Sequence, residues 1–423
     1  MRSACRAVCA MMLFGISVAT FAASPRQQLA KVTCAALDDA AHAMPGQGPM
    51  LLASYPSVTL SAPADRRALH GAAFVYDNAA AGLALIACGQ PKQAQRIADA
   101  LIYVSAHDLN YHDHRLRNAY AAGAMGKGTA KLPGFWNAKG GFWQEDAYQA
   151  STATGNMAWA ALLALGVYQH THETRYLDAA RQWLSWIAAH TYDATAPAGY
   201  NGGVYGFDGK QAPQRWKSTE HNLDVYAAAR WAQRDRPDAA LARQARISRA
   251  FVSAMWDARQ HHFPIGTTDN GHSIAQHPYA LDAQVWPLLA MAPVPPQWQS
   301  VWPWIKTTHS HGAGFGYRGS PKGIWTEGTA QAAAAMQASG RKVPSALWTL
   351  LLKQRSADGL LYATPQARIE TDLAIGPDST FADFFYYHLP HLGATAWAAL
   401  AAHGWNPFTG APIKPNAGPH KAR

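Results

Sequence analysis

Apolar residues recur along the chain in six runs that have almost no polar face. Each run opens with one or two polar residues and continues with alanine and leucine, and the runs begin at Tyr76, Thr154, Thr219, Leu281, Thr326 and Leu392. A helix that is apolar nearly all round is buried on every side. The pattern therefore predicts six buried helices, which we call the inner helices.

Six other segments have the pattern of helices with one polar face, which suits a covering layer. One follows the amino-terminal region at 26–44, and the others begin at Pro91, Thr174, Asp238, Pro296 and Ser345. The links from an inner helix to the next covering helix are short and turn-like. The links in the other direction are roughly 20 to 45 residues long, well above the usual loop length.

These unequal links predict both the fold and the place of a site. If the inner helices run parallel in a ring, every long link lies at their N-terminal end and can build one elaborate face. Twelve helices arranged as six hairpins form an (α/α)6 toroid. We therefore predict an all-α protein, an (α/α)6 toroid of six helical hairpins with long loops on the inner-helix N-terminal face.

The first residues have the features of an export signal. Arg2 and Arg6 precede an apolar stretch, and small residues follow near Ala22, which is the order of a cleaved secretory signal. We expect a signal peptide at 1–23, the toroid at 24–408 and a disordered basic tail at 409–423, in a periplasmic or secreted protein. No later segment is suited to cross a bilayer, so stable membrane insertion is not expected.

The net charge narrows the choice of partners, and the cysteines leave two structural alternatives. The net charge of +10 includes no dense Lys/Arg cluster outside the tail, so nucleic-acid binding is not expected, whereas an anionic polymer is compatible with a basic exterior. After export, Cys34 and Cys88 remain, either as one disulfide or as two buried thiols. The oligomeric state has no sequence signal.

Metal and cofactor signals are weak. The histidines near His112 and His261 lack the spacing of a zinc motif, and loop acids that suit calcium, such as Asp208, are no stronger. We therefore predict neither a metal nor a cofactor.

Short motifs at the starts of the inner helices, FVYDNA, TGNMAW, STEHNLD, LDAQVW and WTEGTAQ, resemble those of the six-hairpin glycosidases and their relatives. The resemblance extends over nearly the whole mature chain. It implies a carbohydrate substrate bound in a bowl at the inner-helix N-termini. The superfamily includes hydrolases, polysaccharide lyases and sugar epimerases, so the resemblance leaves the reaction open.

Acidic residues near the starts of the inner helices are the catalytic candidates. Hydrolysis of a glycosidic bond needs one carboxylic acid to protonate the leaving oxygen and a second carboxylate to activate water or attack directly. Glu220 and Glu327 are the leading pair, because each follows a threonine that can cap the helix and a nearby tryptophan. Asp146 and Asp77 are further candidates. Each acid has a structural alternative, since helix N-termini favour acidic residues.

Aromatic and polar side chains in the same segments are the candidates for sugar binding, because an indole or phenol ring matches the flat apolar face of a sugar. Asp224 lies one turn after Glu220, where two like charges raise one pKa. Trp159, Trp183, Trp186 and Trp286 lie within helices and are expected in the core. The substrate-binding candidates are Glu145, Trp136, Trp143, Asn156, Trp216, His221, Asn222, Asp224, Gln284, Trp325, Tyr386, Tyr387, His388 and Arg117.

An exported glycoside hydrolase is the preferred interpretation, and three others stay open. A polysaccharide lyase would use a tyrosine or histidine base and an arginine that neutralises a uronate. A sugar epimerase would pair His221 with His388 or His391. A non-catalytic glycan-binding or assembly protein of a polysaccharide system would keep the bowl and leave its acids idle. The lyase candidates are Tyr386, Tyr387, His388, Arg117 and Arg318.

Overall fold

The computed structural model describes residues 23–415, so nearly all of the expected signal peptide and the end of the expected tail lie outside the described residues. The helices follow the hydrophobic pattern closely. In chain order they are α1 Pro25–His42, α2 Ala64–Arg67, α3 Val75–Ala87, α4 Pro91–Ala106, α5 Ala147–Ala150, α6 Thr154–Thr171, α7 Thr174–His190, α8 Thr219–Asp235, α9 Ala239–Ala254, α10 Asp282–Val285, α11 Pro287–Ala290, α12 Val301–His309, α13 Thr326–Ala338, α14 Ser345–Leu352 and α15 Leu392–His403.

The inner helices form a closed ring. Its order is α3, α6, α8, the pair α10 and α11, α13 and α15, and α15 packs against α3 to close it. Outer helices α4, α7 and α9 cover the ring, and α1 packs against both α14 and α15, so the first helix completes the last hairpin. This arrangement confirms the predicted (α/α)6 toroid.

Small residues allow the inner helices to approach closely. A methyl group at Gly82 of α3 would lie 2.5 Å from a Leu163 methyl of α6, and one at Gly166 of α6 would lie 3.0 Å from Leu83 of α3. Each glycine therefore receives a leucine of the facing helix. The fourth inner helix is divided into α10 and α11 at Trp286, because Pro287 cannot donate a backbone hydrogen bond.

Large aromatic side chains fill the axis of the ring. Trp159 lies with its ring centroid 5.5 Å from that of Trp286 and 5.8 Å from that of Trp397, and Phe408 contacts Trp159 at 5.4 Å. We call Trp159, Trp286, Trp397 and Phe408 the axial cluster. The four tryptophans predicted to lie in the core are at most 4% exposed.

Short antiparallel strands occupy the long links. They are β1 Met50–Leu51, β2 Ala72–Phe74, β3 Ala119–Ala121, β4 Gly123–Ala124, β5 Phe135–Asn137, β6 Phe142–Gln144, β7 Thr152–Ala153, β8 Tyr192–Asp193, β9 Gly199–Tyr200, β10 Gly203–Tyr205, β11 Ala212–Gln214, β12 Ser310–His311, β13 Gly314–Phe315, β14 Leu361–Tyr362, β15 Arg368–Glu370, β16 Phe385–Tyr387, β17 Pro390–His391, β18 Trp405–Asn406 and β19 Ala411–Pro412. They pair as β1 with β4, β2 with β3, β5 with β6, β7 and β11 with β10, β8 with β9, β12 with β13, β14 with β17, β15 with β16, and β18 with β19.

The C-terminal boundary of the toroid lies later than the sequence predicted. Strand β19 pairs with β18, and the Ile413 N–H donates to the Gly404 carbonyl at 2.6 Å. The tail expected from residue 409 therefore still belongs to the fold at its start, because the chain returns along β18 after placing Phe408 in the axis. Within residues 23–415, no helix has the length and apolarity needed to cross a membrane.

Cys34 and Cys88 form a disulfide, with their Cα atoms 5.6 Å apart. Cys34 lies on α1 and Cys88 follows the end of α3. The bond therefore ties the first outer helix to an inner helix, and of the two alternatives that the sequence left open it is the disulfide that the structure contains.

We expect the double variant Cys34→Ser, Cys88→Ser to lose about 2 to 4 kcal/mol of unfolding free energy, because the bond closes a long loop in the unfolded chain. Its sequence separation is 54 residues. Chemical denaturation with and without reductant measures the loss. Reductant should destabilise the wild type and leave the double variant unchanged; equal stability of both proteins without reductant would contradict the expectation.

Candidate active site

Acidic side chains gather at the N-terminal ends of the inner helices in two layers. Asp77, Glu220, Asp282 and Glu327 lie in the first turns of α3, α8, α10 and α13. Because each outer helix returns the chain to the same end of the ring, these first turns converge. Asp224 lies one turn deeper, below Glu220, and Gln331 has the same relation to Glu327.

Glu327 is buried and held on one oxygen. The Tyr76 hydroxyl donates to Glu327 Oε1 at 2.5 Å, and Gln331 Nε2 donates to the same oxygen at 3.1 Å. Trp397 Nε1 in turn donates to the Tyr76 hydroxyl at 2.7 Å, which links Glu327 to the axial cluster. Burial raises the pKa of Glu327 to about 7, although His391 and the Tyr76 hydrogen bond favour its charged form.

Asp77 and His391 form a buried pair beside Glu327. His391 caps α15, since its Nδ1 accepts the Ala394 N–H at 3.3 Å, and its Nε2 lies 3.3 Å from Asp77 Oδ2. Tyr55 stacks on the imidazole at 4.5 Å. A methyl group at Gly393 would lie 2.5 Å from Asp77 Oδ1, so only glycine leaves room for the carboxylate there.

Asp77, Glu327 and His391 have the donor types and spacing of a metal site, with one ligand atom from each within 4.8 Å of the others. The hydrogen bonds of His391 disfavour that role. Nδ1 accepts a backbone N–H, so Nε2 carries the proton and donates it to Asp77. Neither nitrogen then has a lone pair for an ion.

Glu220 is the accessible acid of the site. Its side chain is half-buried and makes no hydrogen bond to any residue between 23 and 415. Burial raises the pKa of Glu220 well above its usual value, and the charges of Asp282, Asp224 and Glu327 raise it further. The Glu220 carboxyl therefore holds its proton more strongly than an ordinary glutamate.

Two buried acids lie close to Glu220. Asp224 is fully buried, and neither of its carboxylate oxygens has a hydrogen bond of ordinary length to any residue of the described range 23–415. Burial raises the pKa of Asp224 well above its usual value, and the Trp159 indole offsets this only in part. Asp282 accepts the Ala283 N–H at 2.6 Å, and burial raises its pKa to about 7. Charge on any one of these acids opposes ionisation of the others.

His221 lies in the first turn of α8, beside Glu220. A methyl group at Gly155 of α6 would lie 2.5 Å from His221 Cδ2 and 3.2 Å from Asp224 Oδ2, so this glycine makes space for both side chains. Burial lowers the pKa of His221 to about 4, which leaves the imidazole neutral. Trp216 contacts it, with ring centroids 5.3 Å apart.

Several predicted residues lie around these acids. Asn156 donates to Asn118 Oδ1 at 2.8 Å. Trp325 is 2% exposed and packs against Tyr386, with ring centroids 5.4 Å apart. The charge of Glu327 raises the Tyr386 pKa, after burial, which places this phenol near the acid.

The threonines expected to cap α8 and α13 have other roles. Ser218 caps α8 by accepting the His221 N–H, and the Thr219 hydroxyl donates to the Pro264 carbonyl instead. Helix α13 has no side-chain cap. The expected threonine caps are therefore absent from both helices, although Glu220 and Glu327 lie at the converging helix starts.

Asn222 and Gln284 are structural, contrary to the expectation that they bind sugar hydroxyls. Asn222 accepts the Tyr200 N–H at 2.9 Å and donates to the Tyr200 carbonyl at 3.0 Å. Gln284 bonds in the same way to the N–H and carbonyl of Phe263, at 2.9 and 2.7 Å. Both amides are fully buried and attach a preceding loop to the start of an inner helix.

Arg117 is also structural. It is 1% exposed and forms ion pairs with Asp108 at 2.6 Å and Asp208 at 2.5 Å, and it donates to the Ala150 carbonyl at 3.1 Å. Its donors are therefore satisfied within the protein, which corrects the predicted contact with substrate. Arg318 is likewise paired, with Glu370 and Asp372.

Asp146 caps a helix, which is its structural alternative to a catalytic role. Its carboxylate accepts the Gln149 N–H at 2.9 Å at the start of α5. Burial raises the pKa of Asp146, and it likewise raises that of the neighbouring Glu145. Asp146 therefore shapes the loop that leads to Tyr148 and α6.

The remaining candidates lie at the rim. Tyr387 donates to Asp65 at 3.2 Å. His388 is exposed, and its Nδ1 lies 2.7 Å from the Thr364 carbonyl. Trp136 and Trp143 are 61% and 53% exposed on the hairpin of β5 and β6.

The fold also brings to the site residues that are not among the catalytic or substrate-binding candidates. Asp282 and His391 stand at inner-helix starts, where the sequence places them at the same face, and His391 is a candidate only for the epimerase. Tyr76 directly precedes the catalytic candidate Asp77. Tyr55 and Tyr317 come from long links and have no local signal, yet the charges of the site acids raise the pKa of both phenols in addition to burial.

Comparisons with known proteins support the architecture. No family model and no curated protein matches this chain. Among solved structures, a D-mannose isomerase has a TM-score of 0.59 at 10% identity, covering 91% of this chain and 98% of its own. A cellobiose 2-epimerase from Bacillus thermoamylovorans has a TM-score of 0.58 at 10% identity, with coverages of 88% and 98%. A glycosidase variant has a TM-score of 0.56 at 13% identity, with coverages of 92% and 98%.

These neighbours belong to the six-hairpin (α/α)6 toroid superfamily. The chain has the fold of that superfamily, as its sequence motifs suggested. At 10 to 13% identity the likeness concerns the fold, and the chemistry has to be inferred from the side chains described above.

The raised pKa of Glu327 predicts a pH-dependent stability. A carboxyl group whose pKa rises from 4.5 to about 7 on folding stabilises the fold below pH 4.5 and loses that contribution as the pH rises to 7. The unfolding free energy of Glu327→Gln, relative to that of the wild type, should therefore rise by up to about 3 kcal/mol as the pH is raised from 5 to 8. Denaturation of both proteins at pH 5 and at pH 8 measures this change. A difference that does not vary with pH would refute the assignment.

Arg117→Met should lose about 3 to 5 kcal/mol of unfolding free energy, since it leaves the buried Asp108 carboxylate without its partner. Arg236→Met is the matched control, because the ion pair of Arg236 with Asp178 is exposed and such pairs contribute less than about 1 kcal/mol. Urea denaturation compares the two variants. Equal losses of unfolding free energy in the two variants would show that Arg117 does not hold its surrounding loops together.

Proposed function

We propose that this protein is a glycoside hydrolase that acts on a poly- or oligosaccharide. The observation that carries the proposal is the contrast between two acids. Glu220 is half-buried, has no hydrogen-bond partner among residues 23–415 and has a raised pKa, whereas Glu327 is fixed by Tyr76 and Gln331. General acid/base hydrolysis needs one carboxyl group that donates a proton and a second carboxylate, held in place, that activates water or attacks directly.

In this mechanism Glu220 donates its proton to the glycosidic oxygen as the bond to the anomeric carbon breaks. In one version, the ionised Glu327 removes a proton from a water molecule as that water attacks the anomeric carbon. In the other version, the Glu327 carboxylate attacks the anomeric carbon itself. Tyr76 and Gln331 both bond Oε1, and Oε2 has no hydrogen-bond partner among residues 23–415. In this proposal the buried Oε2, which lies 3.8 Å from His391 Nδ1, is the oxygen that takes part in the reaction.

Two further observations support a carbohydrate substrate and an extracytoplasmic site. The neighbours of the same fold are named as enzymes of sugars, and one glycosidase structure is a complex with glucose. The Cys34–Cys88 disulfide suits an oxidising compartment, in agreement with the export signal inferred from the sequence. We therefore propose a periplasmic or secreted carbohydrate-active enzyme.

A sugar epimerase or isomerase is the second candidate. His221 on α8 and His391 at the start of α15 come from opposite sides of the ring, an arrangement suited to removing a proton on one face and returning it on the other. Both nitrogens of His391 are occupied by Asp77 and Ala394, so we rank this candidate second.

The lyase alternative has less support. Its two arginine candidates are held in ion pairs with aspartate and glutamate side chains, and neither is free to neutralise a uronate. Its base candidates include His388, which lies exposed on the rim with one nitrogen against a backbone carbonyl.

Glu220→Gln and Glu327→Gln should each lower kcat at least a thousandfold and keep the wild-type fold, because each removes one proton-transfer group. Release of reducing ends from a glycan panel, followed together with near-ultraviolet absorbance, measures the activity. Asp146→Asn is the control, and its kcat should stay within tenfold of the wild type.

Activity within tenfold of the wild type in both glutamine variants would refute the assignment. Absorbance that rises with the reducing ends would indicate a lyase. A sugar product of altered configuration with no new reducing ends would indicate the epimerase.

A further inference from the structure

The hairpin of β15 and β16 carries a long connecting loop, residues 371–384, which we call the strap. At its base the Phe384 N–H donates to the Leu373 carbonyl at 3.0 Å. Asp372 forms an ion pair with Arg318 at 2.9 Å, and Arg318 lies in the link between β13 and α13. The base of the strap is therefore fixed in the part of the rim that leads to α13 and α15.

The tip of the strap is attached to a different part of the rim. The Tyr205 hydroxyl donates to Asp378 Oδ1 at 2.5 Å, and the Tyr205 ring packs against Gly376, where a methyl group would lie 2.2 Å from Tyr205 Cζ. Tyr205 ends β10, in the link that leads to α8, and β10 pairs with β7 at the start of α6. In the ring order, α8 lies opposite α15 and α6 lies opposite α13. The strap therefore joins opposite sides of the ring.

Asp383 holds the tip of the strap in one conformation. Its Oδ1 accepts the Ile375 N–H at 2.8 Å, and its Oδ2 accepts the Ser379 hydroxyl at 2.9 Å. The Ser379 N–H donates in turn to the Gly376 carbonyl at 3.1 Å, which closes a turn. The tip is therefore a built structure that presents Asp378 to Tyr205.

Both ends of the strap stand beside the candidate catalytic acids. At the base, the charge of Glu327 raises the pKa of Tyr386 on β16, after burial. At the tip, the charges of the two aspartates that hold it raise the pKa of Asp146, after burial. Asp146 begins α5, whose Tyr148 has its pKa raised by burial and then by the charge of Glu220. The acids therefore lie between the two ends of the strap.

The charges around the mouth favour a neutral sugar. Asp378 and Asp383 accept their hydrogen bonds from hydroxyl and amide groups rather than from cations. Arg117 and Arg318 are both paired with acidic side chains. An acidic polymer would meet like charges both on the strap and in the site, and such juxtapositions are costly, whereas the hydroxyl groups of a neutral sugar meet no such repulsion.

We propose that the strap restricts the bowl to the end of a neutral sugar chain, and that the hydrogen bond between Tyr205 and Asp378 is the latch that keeps the strap closed. A loop across the mouth prevents an internal segment of a polymer from being laid into the bowl, so a chain has to enter by its end. The inference rests on the proposed function, since it names the part of the substrate that the site cleaves. Tyr205 and Asp378 are then residues that determine specificity.

Hydrogen exchange of the full chain, followed by mass spectrometry, tests the latch without any substrate. Tyr205→Phe removes the hydroxyl and keeps the ring, so the amides at 374–383 should exchange at least tenfold faster than in the wild type. Tyr103→Phe is the matched control, because the Tyr103 hydroxyl donates to the Gly128 carbonyl in another link, and it should leave exchange of the strap unchanged. Unchanged exchange of the strap in Tyr205→Phe would overturn the latch.

Product analysis tests the specificity. A strap-deleted variant joins Leu373 to Phe384 through an Asn-Gly turn, since the hydrogen bond between these two residues fits a two-residue connection. The probes are dextran, pullulan and hydroxyethyl cellulose, whose viscosity and reducing ends are followed together. The wild type should release reducing ends with little loss of viscosity, and the deleted variant should lose at least tenfold more viscosity per reducing end. Tyr205→Phe, which keeps the whole chain, should shift in the same direction.

The outcomes separate the strap from the proposed function. Equal loss of viscosity per reducing end in the wild type and both variants would overturn the strap's role and leave the hydrolase function standing. Faster cleavage of polygalacturonate than of the neutral polymers would overturn the neutral substrate. If the wild type releases no reducing ends from any polymer or oligosaccharide, the hydrolase function and end-specific cleavage both fail, while the exchange experiment still decides the latch.

Discussion

Closure of the inner ring around the axial cluster is the packing interaction on which the rest of the structure depends. Trp159, Trp286 and Trp397 come from three different inner helices and meet Phe408 on the axis. Aromatic side chains of this size each bury a large apolar area, and together they form the floor of the candidate site. Trp397 extends the cluster into the site through its bond to Tyr76.

The axial cluster below the site contributes to the burial that raises the pKa values of the acids above it. A carboxylate at a helix N-terminus is ordinarily stabilised by the helix dipole, but here Asp224, Asp282 and Glu327 are buried and Glu220 is half-buried where the helix starts converge. Desolvation is the largest cause of the raised pKa of each, and repulsion from neighbouring acids adds to it at Glu220, Asp224 and Glu327. The site can therefore contain protonated and ionised carboxyl groups at the same pH, a condition for general acid/base chemistry.

The polar groups below and around the acids differ in how far their hydrogen-bonding capacity is satisfied within the protein. This difference separates the structural residues from the candidate functional ones. Asn222, Gln284 and Arg117 have their bonding capacity satisfied by backbone groups or aspartates. Within residues 23–415, Glu220 has no hydrogen-bond partner, and neither do the buried oxygens of Asp224 and Oε2 of Glu327. Buried polar atoms without partners are rare in folded proteins, and several of those in this structure lie where the inner-helix N-termini meet.

The sequence by itself determined the helical hairpins, their order and the end of the ring at which the site lies. Apolar periodicity within a single segment decides whether a helix is buried, and link lengths decide where loops accumulate, so both are local information. The tertiary structure alone decided which polar residues face the site. Arg117 meets Asp208 from a distant link, Asp146 caps a helix of one turn, and Tyr55 joins His391 across most of the chain. Such partners come together only when the ring closes, because distances across the ring are not encoded in any one segment.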